Sequence, residues 1–171
     1  MRARLGTVLA ALALCLWSAT AIADTRSLLR VGQWEAFGGT TSGSGRRVCG
    51  VSTQQSGKYF SVKYYDGDDT FTIQMGGSSW RIENGAKQKL HMRFDGAAAW
   101  AATGTGFHFG DGDAGLEFTI ARKELDEFMA EFRASNALAI SFDNADVSGW
   151  SLWLAGSNAV SQAFLRCADA L

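Results

Sequence analysis

The chain has no proline, two histidines, three cysteines and almost no net charge, formally −1 over 171 residues. Each shortage excludes something. Without proline there is no polyproline ligand segment and no proline-stiffened linker. Two histidines leave little material for a zinc site or for histidine-based catalysis. A balanced charge excludes sequence-independent nucleic-acid binding, which needs a basic surface. With 47% hydrophobic residues the chain is also too apolar for a disordered one. What is abundant is glycine, 20 residues, which signals many tight turns in a globular protein long enough for one domain with its own core.

Residues 1–23 have the organisation of a secretory signal peptide. Arg2 and Arg4 supply the positive end, 5–17 is an apolar stretch of 13 residues, and Ala21-Ile22-Ala23 is a small-x-small cleavage site before Asp24. Thirteen apolar residues are too few to cross a hydrocarbon core of about 30 Å. Cys15 follows Leu14, where lipoprotein processing needs a small residue. The expected mature protein is one domain over 24–171, exported to the periplasm or beyond, with no membrane span after cleavage. Sixteen basic residues less the two of the leader leave 14 against 17 acidic ones, a charge of −3.

Along this region apolar residues alternate with polar ones. Phe60, Val62 and Tyr64 alternate, as do Phe71, Ile73 and Met75; Leu90, Met92 and Phe94; Leu116, Phe118 and Ile120; Leu138, Ile140 and Phe142; and Trp150, Leu152 and Leu154. Trp80 and Ile82 fit the same period. Period two bounded by glycine, aspartate and asparagine predicts half-buried antiparallel strands. Gly38-Gly39 through Gly45, Asp66-Gly67-Asp68, Gly76-Gly77, Asn84-Gly85 and Asp95-Gly96 are the expected turns. Eight to ten strands at this spacing predict a mainly β (α+β) fold, an antiparallel β-sandwich or barrel-like sheet.

Two segments change period. Over 122–134, Leu125, Phe128, Met129 and Phe132 lie on one helical face, and near the C-terminus Val160, Ala163, Phe164 and Cys167 form another stripe behind Ser157, a candidate N-cap. Two short helices follow, one of them C-terminal. The mature chain keeps two cysteines, Cys49 on a strand face with Val51 and Cys167 on the buried helix face. In an exported protein an even pair directed into one core predicts a disulfide.

Other chemistry is sparse. Asp66, Asp68 and Asp69, with Asp111 and Asp113 in a second Asp-Gly-Asp stretch, are weak calcium candidates; neither loop has the full pattern with its terminal bidentate glutamate, and solvated turns are the better reading. His91 falls on the polar side of its strand, and His108 lies between Phe107 and Phe109 without a partner recognisable by spacing. No nucleophile elbow, phosphate loop or dinucleotide fingerprint is present, and no cofactor is expected. Trp153 points away from Trp150, Leu152 and Leu154; it is a candidate surface contact, although cover by one of the two helices is the favoured expectation.

Several motifs in order carry a resemblance. They are Gly32-Gln33-Trp34-Glu35-Ala36-Phe37, Arg47-Val48-Cys49, Ala99-Trp100-Ala101, the helical segment 125–132, the strand 138–142, and Trp150-x-Leu152-x-Leu154-Ala155-Gly156-Ser157 leading to Phe164 and Cys167. In these the chain resembles the invasion-associated locus B family of alphaproteobacterial exported proteins. The resemblance implies a periplasmic or surface-associated β-rich protein without known catalytic residues, linked in its best-known members to host-cell invasion. The expected function is a non-enzymatic envelope interaction protein, with a protein partner in the envelope or on a host cell and a role in invasion or stress survival. The alternative is a small secreted hydrolase or hydrolase inhibitor. An enzyme would need convergent titratable groups in a cleft, a binding protein an exposed aromatic or apolar patch.

Overall fold

The computed structural model describes residues 24–42, 44–110, 112–143 and 147–171; the expected leader over 1–23 and Asp111 lie outside the described residues. Ten strands follow in order: β1 (Asp24–Val31), β2 (Trp34–Thr40), β3 (Arg47–Gln55), β4 (Lys58–Tyr65), β5 (Thr70–Gly77), β6 (Lys87–Phe94), β7 (Trp100–His108), β8 (Ala114–Ala121), β9 (Ala137–Phe142) and β10 (Trp150–Trp153). A 3-10 turn, Arg122–Glu124, leads into helix α1 (Leu125–Ala134), and α2 (Ser157–Ala168) follows β10.

All strands join one antiparallel sheet in the order β1-β2-β3-β4-β5-β8-β7-β6-β9-β10. Its two ends are not paired by a backbone ladder, so the arrangement is sandwich-like and not a closed barrel. Side chains join them instead. Trp34 Nε1 of β2 donates to the Trp153 carbonyl of β10 at 2.9 Å, and Gln55 of β3 both donates to that carbonyl and accepts from Trp153 N, each at 3.0 Å.

The period-two residues face inward as expected. In β6, Leu90, Met92 and Phe94 are buried while Lys89, His91 and Arg93 are exposed. Helix α1 supplies much of the remaining core. Phe132 packs edge-on to Trp34 at 5.0 Å and to Phe94 at 6.2 Å, and Phe128 packs against Phe71, Phe94 and Trp100 at 5.3–5.5 Å. Each such buried ring contributes about 1.5–3 kcal/mol of transfer free energy. Helix α2 packs on β1, β2, β3 and α1.

Tight turns follow side-chain chemistry. Asp95-Gly96 has φ of 36° and 84°, and Ser56-Gly57 has 52° and 73°, the positive pair that two-residue hairpin turns need.

Four local expectations are corrected. Trp80 and Ile82 are buried, but their segment lies outside the strands; Trp80 is held by edge contacts to Phe142 and Trp150, not by a ladder. Gly76 and Gly77 belong to β5 and are not a turn; of the turn expected from Gly38 through Gly45, Gly38 and Gly39 belong to β2, and the turn, closed by Thr41 N to Arg46 O at 2.9 Å, starts after Thr40. Ser157 is the first residue of α2 rather than its cap; the cap is Gly156, and the Ser157 hydroxyl donates to the Phe132 carbonyl at 3.0 Å, tying α2 to α1. The segment expected to be wholly α-helical over 122–134 starts with the 3-10 turn.

Candidate functional site

Cys49 and Cys167 form the expected disulfide, joining β3 to α2 with their Cα atoms 5.8 Å apart. It is a structural cross-link. Cys49 is fully buried and Cys167 is partly buried.

The acidic turn residues are engaged with arginines or backbone. Asp66 pairs with Arg47 at 2.8 Å and Asp68 with Arg46 at 2.7 Å. The Asp69 carbonyl accepts from Arg122 N at 2.7 Å, and the Asp113 carbonyl from Phe109 N at 2.9 Å. Among the described residues no three His, Cys, Asp or Glu side chains come together to hold a metal ion. The histidines do not converge either. His91 lies 3.2 Å from the Asp143 carboxylate, and His108 Nδ1 lies 2.8 Å from Asn84 Oδ1, both at the surface.

Trp153 departs from the favoured expectation. Both helices pack elsewhere, and its side chain is 72% exposed. The residue's backbone is nevertheless firmly placed: its carbonyl accepts from Trp34 and Gln55, and its N–H donates to Gln55. Next to the indole is a shallow depression of about 320 Å³ lined by Arg133, Ser135, Asn136 and Asn158. A large apolar ring on a fixed backbone, beside polar groups, has the make-up of an interface anchor: contact area is large and no backbone order has to be gained on binding.

A second feature lies on the outer face of the sheet. Successive registers place Glu35, Ser52, Ser61, Gln74, Glu117, Thr105 and Lys87 in one row across seven strands. Lys63 Nζ donates to Gln74 Oε1 at 2.5 Å, Gln74 Nε2 donates to the Glu117 carboxylate, and Lys87 Nζ donates to Thr105 Oγ1 at 2.6 Å. Burial pushes the Lys63 ammonium below the ordinary lysine range, while the Glu117 charge works the other way. Burial also raises the Tyr59 phenol. In the adjacent row Gly76 and Gly115 face each other across β5 and β8. A Cβ on either would come within 2.4–2.7 Å of the Phe109 ring, so the two glycines form the notch in which that ring sits. Phe109 meets Tyr59 and Phe107 edge-on at 5.6 and 4.6 Å. The three rings border a cleft of about 400 Å³ that Lys63 and Gln74 also line. Sequence reading missed this cleft because a glycine opposite a glycine is visible only once the register is known.

No protein-family model matches the chain, and no curated protein matches it. Among solved structures, the crystal structure of invasion associated protein B from Bartonella henselae is similar, with a TM-score of 0.51 at 14% identity, covering 82% of this chain and 97% of that one. The chain therefore has an invasion-associated-protein-B-like fold, in accord with the motif resemblance.

Proposed function

We propose that the protein is a non-enzymatic interaction protein of the cell envelope and that Trp153 anchors its protein partner. The observation that carries this reading is the exposure of a Trp side chain whose backbone is fixed by hydrogen bonds with side chains of β2 and β3. Binding is supported over hydrolysis because the exposed aromatic is carried on a fixed backbone, whereas His91 and His108 are each paired locally at the surface. Export is part of the same reading, with a mature N-terminus at Asp24, the first residue of β1. It is supported by the disulfide and by the likeness to invasion associated protein B, and among the described residues no helix is long and apolar enough to cross a membrane.

The test is capture from envelope and host-cell extracts by the wild-type protein and by Trp153→Ala. A partner retained by the wild type should be lost with the variant, whose thermal midpoint should stay unchanged because the side chain lies in solvent. Equal capture by both would remove Trp153 from the account. N-terminal sequencing of the exported form tests cleavage; a chain starting at Met1 would contradict it.

A further inference from the structure

Strands β7 and β8 are paired over only four residues each, from Thr105 with Glu117 to His108 with Ala114. The same register, continued, would set Thr103 against Thr119 and Ala101 against Ala121, yet pairing stops. On their other sides both strands stay in the sheet, β8 with β5 as far as Ala121 and β7 with β6 as far as Trp100. The sheet therefore forks. Helix α1 is the wedge: Phe128 packs against Phe71 of the β5 limb at 5.5 Å and against Phe94 and Trp100 of the β6–β7 limb at 5.3 Å each. Trp100 Nε1 also donates to Glu131 Oε2 at 2.7 Å, fastening the β7 limb to the helix.

A fork of this kind leaves two facing rows of backbone, 100–104 and 118–121, without ladder partners on one side. Backbone N–H and C=O groups at such edges are the template on which an added strand forms. The opening has a volume of about 480 Å³. Its lining is mainly polar, with Thr103, Thr105, Thr119, Glu117 and Glu124; of the apolar residues beside it Met92 and Phe118 are buried, while Trp100 and Ile120 are half-buried.

We propose that this fork binds an extended segment of a partner protein, alternating basic and apolar residues, which adds as a strand to the open edge of β8 over 118–121. The backbone rows require an extended occupant, half-buried Trp100 and Ile120 meet its apolar side chains on the inner face, and the carboxylates on the polar outer face select basic ones. The site is separate from Trp153, since β6 and β9 stand between β7 and β10 in the sheet. It stands or falls independently of the anchor.

The test uses the full disulfide-bonded protein, labelled with nitrogen-15, and the hexapeptide Lys-Val-Lys-Val-Lys-Val as probe. Two further peptides carry N-methyl groups on the valines only or on the lysines only, and a fourth has glutamate for lysine. Saturable shift changes should appear at amides of 100–104 and 118–121 below about 1 mM peptide. Successive N–H groups of a strand point to opposite edges, so one methylated peptide should lose at least about tenfold in affinity and the other should not. Glu124→Lys, checked for a dispersed spectrum, leaves Glu117 opposite a new cation and should abolish the preference for the lysine over the glutamate peptide. Shift changes elsewhere or none, equal binding of the two methylated peptides, or an undiminished lysine preference in Glu124→Lys would each overturn the proposal.

Discussion

The Sγ atom of Cys167 lies over Gly38, the cross-strand partner of Cys49, so closely that a Cβ on residue 38 would come within 2.8 Å of it. The glycine thus makes room for the disulfide. Gly38→Ala should cost about 1–3 kcal/mol, the usual penalty for overpacking a filled site. Urea unfolding checks this in the oxidised and the reduced protein. The penalty should shrink on reduction, when the Cys167 side chain is free to turn away; the same penalty in both states would contradict the relationship.

The disulfide closes a sequence separation of 118 residues. On the chain-entropy model a loop of that length contributes about 5 kcal/mol, a large part of a typical domain stability of about 5–15 kcal/mol. Reduction should therefore lower the unfolding midpoint strongly. It should also release α2 first, because the bond ties that helix to β3. Hydrogen exchange should show amides of Ser157–Ala168 losing protection before those of β4 and β5; simultaneous loss would contradict this order.

On β6, Met92 is buried and His91 is exposed. Met92→Ala should cost about 2–5 kcal/mol and His91→Ala under about 0.5 kcal/mol. Chemical denaturation of the two variants separates them, and equal losses would refute the assigned face of the strand.

Asp95 ties the β6–β7 turn to the start of β9. Its carboxylate accepts from the Asn136 backbone N–H at 2.6 Å, from Ala137 N–H at 2.9 Å and from Asn136 Nδ2 at 3.1 Å. These bonds, that from Asn136 N–H first, hold its carboxyl below the ordinary value of 3.8. A folded-state pKa that is depressed adds stability above the ordinary range and loses it as pH falls through the folded value. Asp95→Asn should accordingly be less stable than wild type at neutral pH, with the gap closing under strong acid. A pH-independent gap in thermal midpoint would contradict a role for the charge.

Where side chains alternate, the sequence reading and the structure agree: the core strands, the face of β6 and the apolar stripe of α1 were legible from period and turn chemistry alone. Strand β7 was not, because its Ala101-Ala102-Thr103-Gly104-Thr105-Gly106 run has no large apolar alternation, and β1 was not, because it is an edge strand with an almost wholly exposed face. Trp80 misled in the opposite direction, since a buried loop and a buried strand share the same pattern. The disulfide was legible from two inward-facing cysteines. The aromatic cleft and the fork were not, because both depend on which strands are neighbours, and the order β5-β8-β7-β6 is a long-range property of the chain.

The central claim is that the indole of Trp153 is where the partner docks. Its most direct test is photo-cross-linking with p-benzoylphenylalanine placed at position 151, exposed on the same face of β10 as Trp153, with Trp153 kept or changed to Ala, and, as a control on another exposed surface, at position 91. After illumination in envelope or host-cell extract, the account predicts one discrete adduct from position 151 that is lost with Trp153→Ala, and none from position 91. Adducts of equal yield at 151 and 91, no adduct at 151, or one that survives Trp153→Ala would contradict it.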